Sequence, residues 1–225
     1  MSSDHLGRLI DELPEDLARS ALTHPSWVDD RAESYERLAF LGDSVLGLAV
    51  ASEVFARFPG HDSGPLTKIL NQAVSSVSCA DVGREVGVPE RLRDAAPDEP
   101  GTGIPVEVLI GAERPLPEVT EALIGACFLA FGFKRTAAAV AAAFASRIEF
   151  AAETRLDFKS ALQELLAQRG ARVSYEVVRE AGPPHDRTFE VVALLDGEKV
   201  GHGAGRSKKV AEQAAAHEAL DRLGG

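Results

Sequence analysis

Cysteine is scarce in this chain: Cys79 and Cys127 are the two among 225 residues, each inside an apolar stretch with helical spacing. That excludes a disulfide framework and a clustered zinc site, which needs several closely spaced ligands. Both are expected to be buried free thiols. Aromatic residues make up 6% of the chain, with one Trp and two Tyr, which gives no sign of a base-stacking platform for single strands. No uninterrupted run of about 18 apolar residues occurs, so no membrane-spanning helix is expected. The start, MSSDHLGRLIDELPED, is polar and acidic and lacks the basic-then-apolar order of a signal peptide. A cytoplasmic protein with no membrane partner is the expectation.

Basic residues are also in deficit, 24 Lys and Arg against 35 Asp and Glu, for a net charge of −11. Taken over the whole chain, this opposes a polyanionic partner, because phosphate neutralisation needs cations. The deficit is uneven. From Leu156 to Gly225 there are 10 Lys and Arg against 11 Asp and Glu, so nearly all of the acidity lies in the first 155 residues. Acids there can hold divalent cations or can be solvated helix faces.

What is present is helical periodicity, then an alternation. LARSALTH, ERLAFLGDSVLGLAVASEVFARF, GPLTKILNQAVSSVSCADVGREVG and PEVTEALIGACFLAFGFKRTAAAVAAAFASRIEF carry apolar residues at three- and four-residue spacing. Pro, Gly and Asp punctuate the loops FPGHDSGP and DAAPDEPGTGIP, and Pro117 suits the first turn of a helix. After Arg155, LDFKSALQELLAQRG reads as an amphipathic helix ending at Gly170. VSYEVVRE and RTFEVVALLDGEKVGHGAG alternate as strands do, with Asp196-Gly197 at a hairpin turn, and SKKVAEQAAAHEALDRL closes the chain as a helix. The expected organisation is an all-α domain over residues 1–150, a short linker over 151–155, and a small α-β-β-β-α domain over 156–225.

Three separated features of the last domain resemble the double-stranded RNA-binding domain. They are Gln163-Glu164 on its first helix, the loop Gly182-Pro183-Pro184-His185, and Gly205-Arg206-Ser207-Lys208-Lys209 opening its last helix. The resemblance implies that Gln163 and Glu164 face one minor groove and His185 the next. Ser207, Lys208 and Lys209 then meet the phosphates across the intervening major groove, reading the shape of about 16 base pairs. A helix N-terminus favours phosphate for its own reasons, through free N–H groups and the helix dipole. Taken singly, these features read better as an N-cap, a solvated basic turn and a loop histidine; all three at these separations point to RNA binding.

The first domain resembles the ribonuclease III endonuclease domain. The likeness rests on Glu36-Arg37-Leu38-Ala39-Phe40-Leu41-Gly42-Asp43-Ser44-Val45-Leu46, on the earlier Ala21-Leu22-Thr23-His24-Pro25-Ser26-Trp27, and on Glu121-Ala122-Leu123-Ile124-Gly125-Ala126. The stretch 93–114 departs from the family. The resemblance implies four carboxylates on two helices holding Mg²⁺ (Mn²⁺ as an alternative), which activates water and stabilises charge on the phosphate. It places Asp43 and Glu121 as catalytic metal ligands and Glu118 as a third ligand, where the family usually has Asp. Glu118 and Glu121 share one helical face about 4.5 Å apart along the axis. Ala39 stands where the family carries a ligand Glu, and Ser63 where it usually carries an acid. Glu36 is a supporting acid at most, since about 10.5 Å of helix separates it from Asp43. Phe40 matches an aromatic that plugs into the partner subunit of a homodimer; a core aromatic is the other reading.

The implied activity is double-stranded RNA-specific endonucleolytic hydrolysis leaving 5′-phosphates, in the processing of rRNA precursors and mRNA. The alternative is a homologue that has lost cleavage and binds duplex RNA. For that alternative, Glu36 and Glu118 are surface acids at helix starts.

Overall fold

The computed structural model describes residues 4–98, 103–155, 158–167, 169–183 and 187–224. The chain divides into two compact units, Met1–Ala151 and Ala152–Gly225.

The first unit is all helical. Helices α1 (Asp4–Asp11) and α2 (Glu15–Leu22) are followed by two single 3₁₀ turns, Pro25–Trp27 and Arg31–Glu33. The side chains of His24 and Asp30 cap those turns by accepting from the backbone N–H groups of Ser26 and Ala32. Then come α3 (Glu36–Arg57), α4 (Ser63–Ala73), α5 (Ser76–Glu85), α6 (Val88–Ala95), α7 (Val106–Gly111) and α8 (Pro115–Arg155).

The stretch from Gly64 to Gly87 is two helices, where its periodicity suggested one. Ser75 stops the first and starts the second, its hydroxyl accepting from the N–H of Ser78. Helix α8 also runs past expectation at both ends. It covers residues 151–155, expected as a linker, and it is broken at Gly132, whose φ of 76° lies outside the helical region. Apolar periodicity continues across such a break because burial, not local backbone geometry, sets it.

By length and composition alone, α3 and α8 are apolar enough to cross a membrane. Each instead lines the core of its unit. Leu46, Val50, Leu116, Leu123, Ile124, Phe144 and Ile148 are almost wholly enclosed, together with Leu6, Ile69 and Leu92 from the other helices. Two glycines set how closely α3 and α8 approach. A Cβ on Gly42 would overlap the carbonyl of Glu121, and one on Gly125 would overlap the carbonyl of Leu38. The backbones therefore cross in direct contact, and residues flanking the crossing are brought together.

The second unit is α9 (Phe158–Ala167), β1 (Val173–Ala181), β2 (Thr188–Leu195), β3 (Glu198–Gly205) and α10 (Lys208–Gly224). The sheet is antiparallel in the order β1-β2-β3. Asp196 and Gly197 both have positive φ, 50° and 86°, as a two-residue type I′ hairpin requires. Gly201 and Gly203 of β3 carry no side chain where the backbone of α10 passes at Ala211 and Ala215. The alanine face of α10 consequently lies flat on the sheet, over a core of Leu162, Leu166, Val191 and Ala193.

Candidate functional site

The crossing of α3 and α8 assembles an acidic cluster. Asp43 follows Gly42 directly, and Glu121 is the residue whose carbonyl Gly42 meets. Burial, reinforced by the negative charges of Asp43 and Glu118, pushes the carboxyl of Glu121 up to about 7. Asp43 is exposed, whereas Glu118 and Glu121 are half-buried. Helix α5 packs behind the cluster, with Gly83 against the hydroxyl of Thr120. It carries the fully buried Cys79, whose thiol burial and the charges of Glu121 and Asp43 push up to about 12. Cys79 is therefore a protonated core thiol. Cys127, also buried, is likewise raised to about 12 by burial.

Glu118 has a protein partner. The hydroxyl of Tyr35 donates to its Oε2 at 2.9 Å. Tyr35 sits immediately before α3 and is 2% exposed; its backbone N–H donates to the carbonyl of Thr23. The ring of His24 lies edge-on against the Tyr35 ring, with centroids 5.7 Å apart. Burial lowers the His24 pKa, against the opposing pull of Glu118 and Glu36. Its Nδ1 accepts from the N–H of Ser26 at 3.0 Å, and the Ser26 hydroxyl accepts from the N–H of Ile104 at 2.9 Å. Trp27 adds a second tie, Nε1 donating to the carbonyl of Ile104 at 2.8 Å. Ile104 is thus fastened beside the acidic cluster, and Arg93 joins α6 to α7 through both oxygens of Glu107.

Glu36 is committed elsewhere. Arg31 engages both of its oxygens and holds its carboxyl below the usual range. Ala39 is buried on α3, and Ser63 is the exposed first residue of α4. Phe40 is 79% exposed, so it is no core aromatic in this chain; Leu48 and Phe55, at 57% and 73%, continue along α3.

The donor chemistry bears on whether a divalent cation fits. The cluster offers only carboxylate oxygens, and their mutual repulsion favours a positive charge among them. Among the described residues, no three side chains of the ligating types close around a point as a metal cage would require. An open, oxygen-only site suits a hard cation that keeps several waters, as Mg²⁺ does, and does not suit zinc.

In the second unit, Gln163 and Glu164 are exposed on α9, and Lys208 and Lys209 are exposed at the start of α10. Ser207 caps that helix, its hydroxyl accepting from the N–H of Val210 at 3.2 Å. His185 lies outside the described residues. Most other cations of the unit are engaged. Lys159 pairs with Glu212, Arg179 with Glu190 and Arg187 with Glu180, while Arg169 and Arg222 donate to backbone carbonyls. Among the described residues Arg206, Lys208 and Lys209 have no carboxylate partner, and they are adjacent. Gln213 accepts from the N–H of Lys159 at 3.2 Å and so joins α10 to the start of α9. The bond from Tyr35 to Glu118 was missed in sequence, although Tyr35 stands beside the motif; hydroxyl donation to a residue 83 positions away leaves no periodic trace.

Residues 14–148 match the family described as "Ribonuclease-III-like", and residues 158–223 match the "Double-stranded RNA binding motif". The chain is 35% identical over 224 residues to the Ribonuclease 3 of Corynebacterium glutamicum, covering 98% of this chain and 87% of that one. It is 38% identical over 214 residues to the Ribonuclease 3 of Syntrophotalea carbinolica, covering 92% and 90%. It is also similar to the crystal structure of the nuclease domain of ribonuclease III from Campylobacter jejuni. There the identity is 29% and the TM-score 0.49, over 65% of this chain and 93% of that one.

Proposed function

The chain belongs to the ribonuclease III family, and from that premise we propose how it acts as a double-stranded RNA-specific endoribonuclease. We assign duplex gripping to residues 156–225 and hydrolysis to residues 1–150. The observation that supports the assignment is the close crossing of α3 and α8, which brings Asp43 near enough to Glu121 for its charge, with that of Glu118, to add to burial in raising the Glu121 carboxyl. Asp43 and Glu121 would hold the cation, Mg²⁺ or Mn²⁺, with Glu118 as a third oxygen ligand. Once bound, a divalent cation supplies Lewis-acid activation of water and neutralises charge growing on the phosphate. The close-packed helices fix the two carboxylates relative to each other, which limits reorganisation during the reaction.

Hydrolysis leaves the 5′-phosphate on the downstream product. We take the substrates to be structured rRNA precursors and mRNA, met in the cytoplasm. The exposed Phe40, Leu48 and Phe55 support a homodimer, since large apolar side chains grouped on one side of a helix are costly to leave in water.

A second reading is a duplex-binding protein that has lost cleavage. Ala39, which has no carboxylate, favours it. The test is incubation of the full chain with a long perfect RNA duplex, with and without Mg²⁺ or Mn²⁺, beside a gel shift at the same salt. Cation-dependent cutting with 5′-phosphate ends supports the nuclease. Binding without cutting that becomes cutting in Ala39→Glu supports the second reading.

Duplex binding has its own test. Lys208→Ala with Lys209→Ala is expected to weaken binding similarly on unrelated duplexes. The slope of log affinity against log salt should become shallower by about 2, one per lost phosphate contact. An unchanged slope would assign the phosphate contacts elsewhere.

A further inference from the structure

We infer that Tyr35 is a positioning residue for the cation site, holding the Glu118 carboxylate in one orientation on the α8 side. The inference rests on the reading of Asp43, Glu118 and Glu121 as the ligand set. A glutamate has one more rotatable bond than an aspartate, so at this position it reaches further and is less fixed. The Tyr35 hydroxyl removes that freedom. By donating to Oε2 at 2.9 Å it fixes the orientation of the carboxylate and leaves its other lone pairs as donors.

Tyr35 can do this because it is itself held. Its ring is enclosed, its N–H is bonded to Thr23, and its face is closed by His24. His24 is in turn fixed through Ser26 to the backbone of Ile104. A continuous set of contacts therefore runs from the 103–105 segment to the Glu118 carboxylate. Partners of this kind around a ligand fix its orientation, and removing one commonly lowers metal affinity by about 10- to 100-fold. The arrangement also fits Ala39. Tyr35 and Ala39 are four residues apart, one turn, at the start of α3. With no carboxylate at 39, the side chain from that end of the helix that meets Glu118 is a neutral donor.

The experiment is calorimetric titration of the full chain with Mn²⁺ alone, beside thermal unfolding without metal. Tyr35→Phe keeps the buried ring and removes only the hydroxyl. It should weaken Mn²⁺ binding by roughly tenfold while the unfolding temperature changes little. Glu118→Asp keeps the carboxylate but withdraws it from the hydroxyl, and should lose a similar factor even though aspartate is the family's usual residue there. Adding Tyr35→Phe to Glu118→Asp should then cost nothing more. Wild-type affinity in Tyr35→Phe or in Glu118→Asp overturns the positioning role. If the wild type binds no Mn²⁺, or if Glu118→Gln binds it as tightly as wild type, the ligand assignment itself falls, and the inference with it.

Discussion

Replacing Asp43 by Asn and Glu121 by Gln together is expected to reduce cleavage of a perfect duplex by about 10³-fold or more while leaving duplex affinity unchanged. The size follows from what the two carboxylates are asked to do. Cation-assisted charge stabilisation contributes several kcal/mol to phosphoryl chemistry, and each 1.36 kcal/mol is about tenfold in rate. Both replacements keep side-chain volume, and Asp43 is exposed, so the fold should persist. Removing two negative charges from the cluster also removes the repulsion that raises Glu121, so unfolding should occur at an equal or slightly higher temperature. Initial rates on an end-labelled duplex at saturating Mg²⁺, with a gel shift in the same buffer, measure both quantities. Residual cleavage within tenfold of wild type would place the chemistry outside this cluster.

The second large effect is structural. Gly42→Ala should destabilise the helical unit by at least about 1–3 kcal/mol, the usual cost of overpacking a close-packed interior. The methyl group would overlap backbone atoms of Glu121, which cannot rotate away as a side chain could. Relief requires α3 and α8 to separate, and that separation moves Asp43 away from Glu121. Activity should therefore fall further than the folded fraction does. Circular dichroism melts together with cleavage per folded molecule would separate the two effects. Gly47→Ala is the control: a Cβ there meets nothing within 4 Å, and alanine favours helix by roughly 1 kcal/mol over glycine. If Gly42→Ala melts like Gly47→Ala, the close crossing is wrong.

These two cases mark what could be read in the sequence. The helical first unit and the α-β-β-β-α second unit were legible because burial on one face leaves a period of about 3.6 or 2 in the residues themselves. The hairpin at Asp196-Gly197 was legible because few residue pairs tolerate two positive φ angles. The break at Gly132 and the division at Ser75 were not, since apolar spacing survives a kink when both halves face the same core. Among the site residues, Asp43, Glu118 and Glu121 could be named by likeness to a family. Their approach depends on Gly42 and Gly125, whose importance lies in contacts with Glu121 and Leu38, 79 and 87 positions away. Glu36 looked like an available acid until Arg31, five residues earlier, proved to engage both its oxygens. Nothing in residue type distinguishes a free carboxylate from a paired one.

The internal pairing of cations in the second unit has a consequence for turnover. With Lys159, Arg179 and Arg187 tied to carboxylates of their own fold, a unit that grips a duplex through the charges from Arg206 to Lys209, as proposed, has few phosphate contacts to break. Few phosphate contacts favour quick release, so the expected behaviour is distributive, with many duplexes sampled in succession.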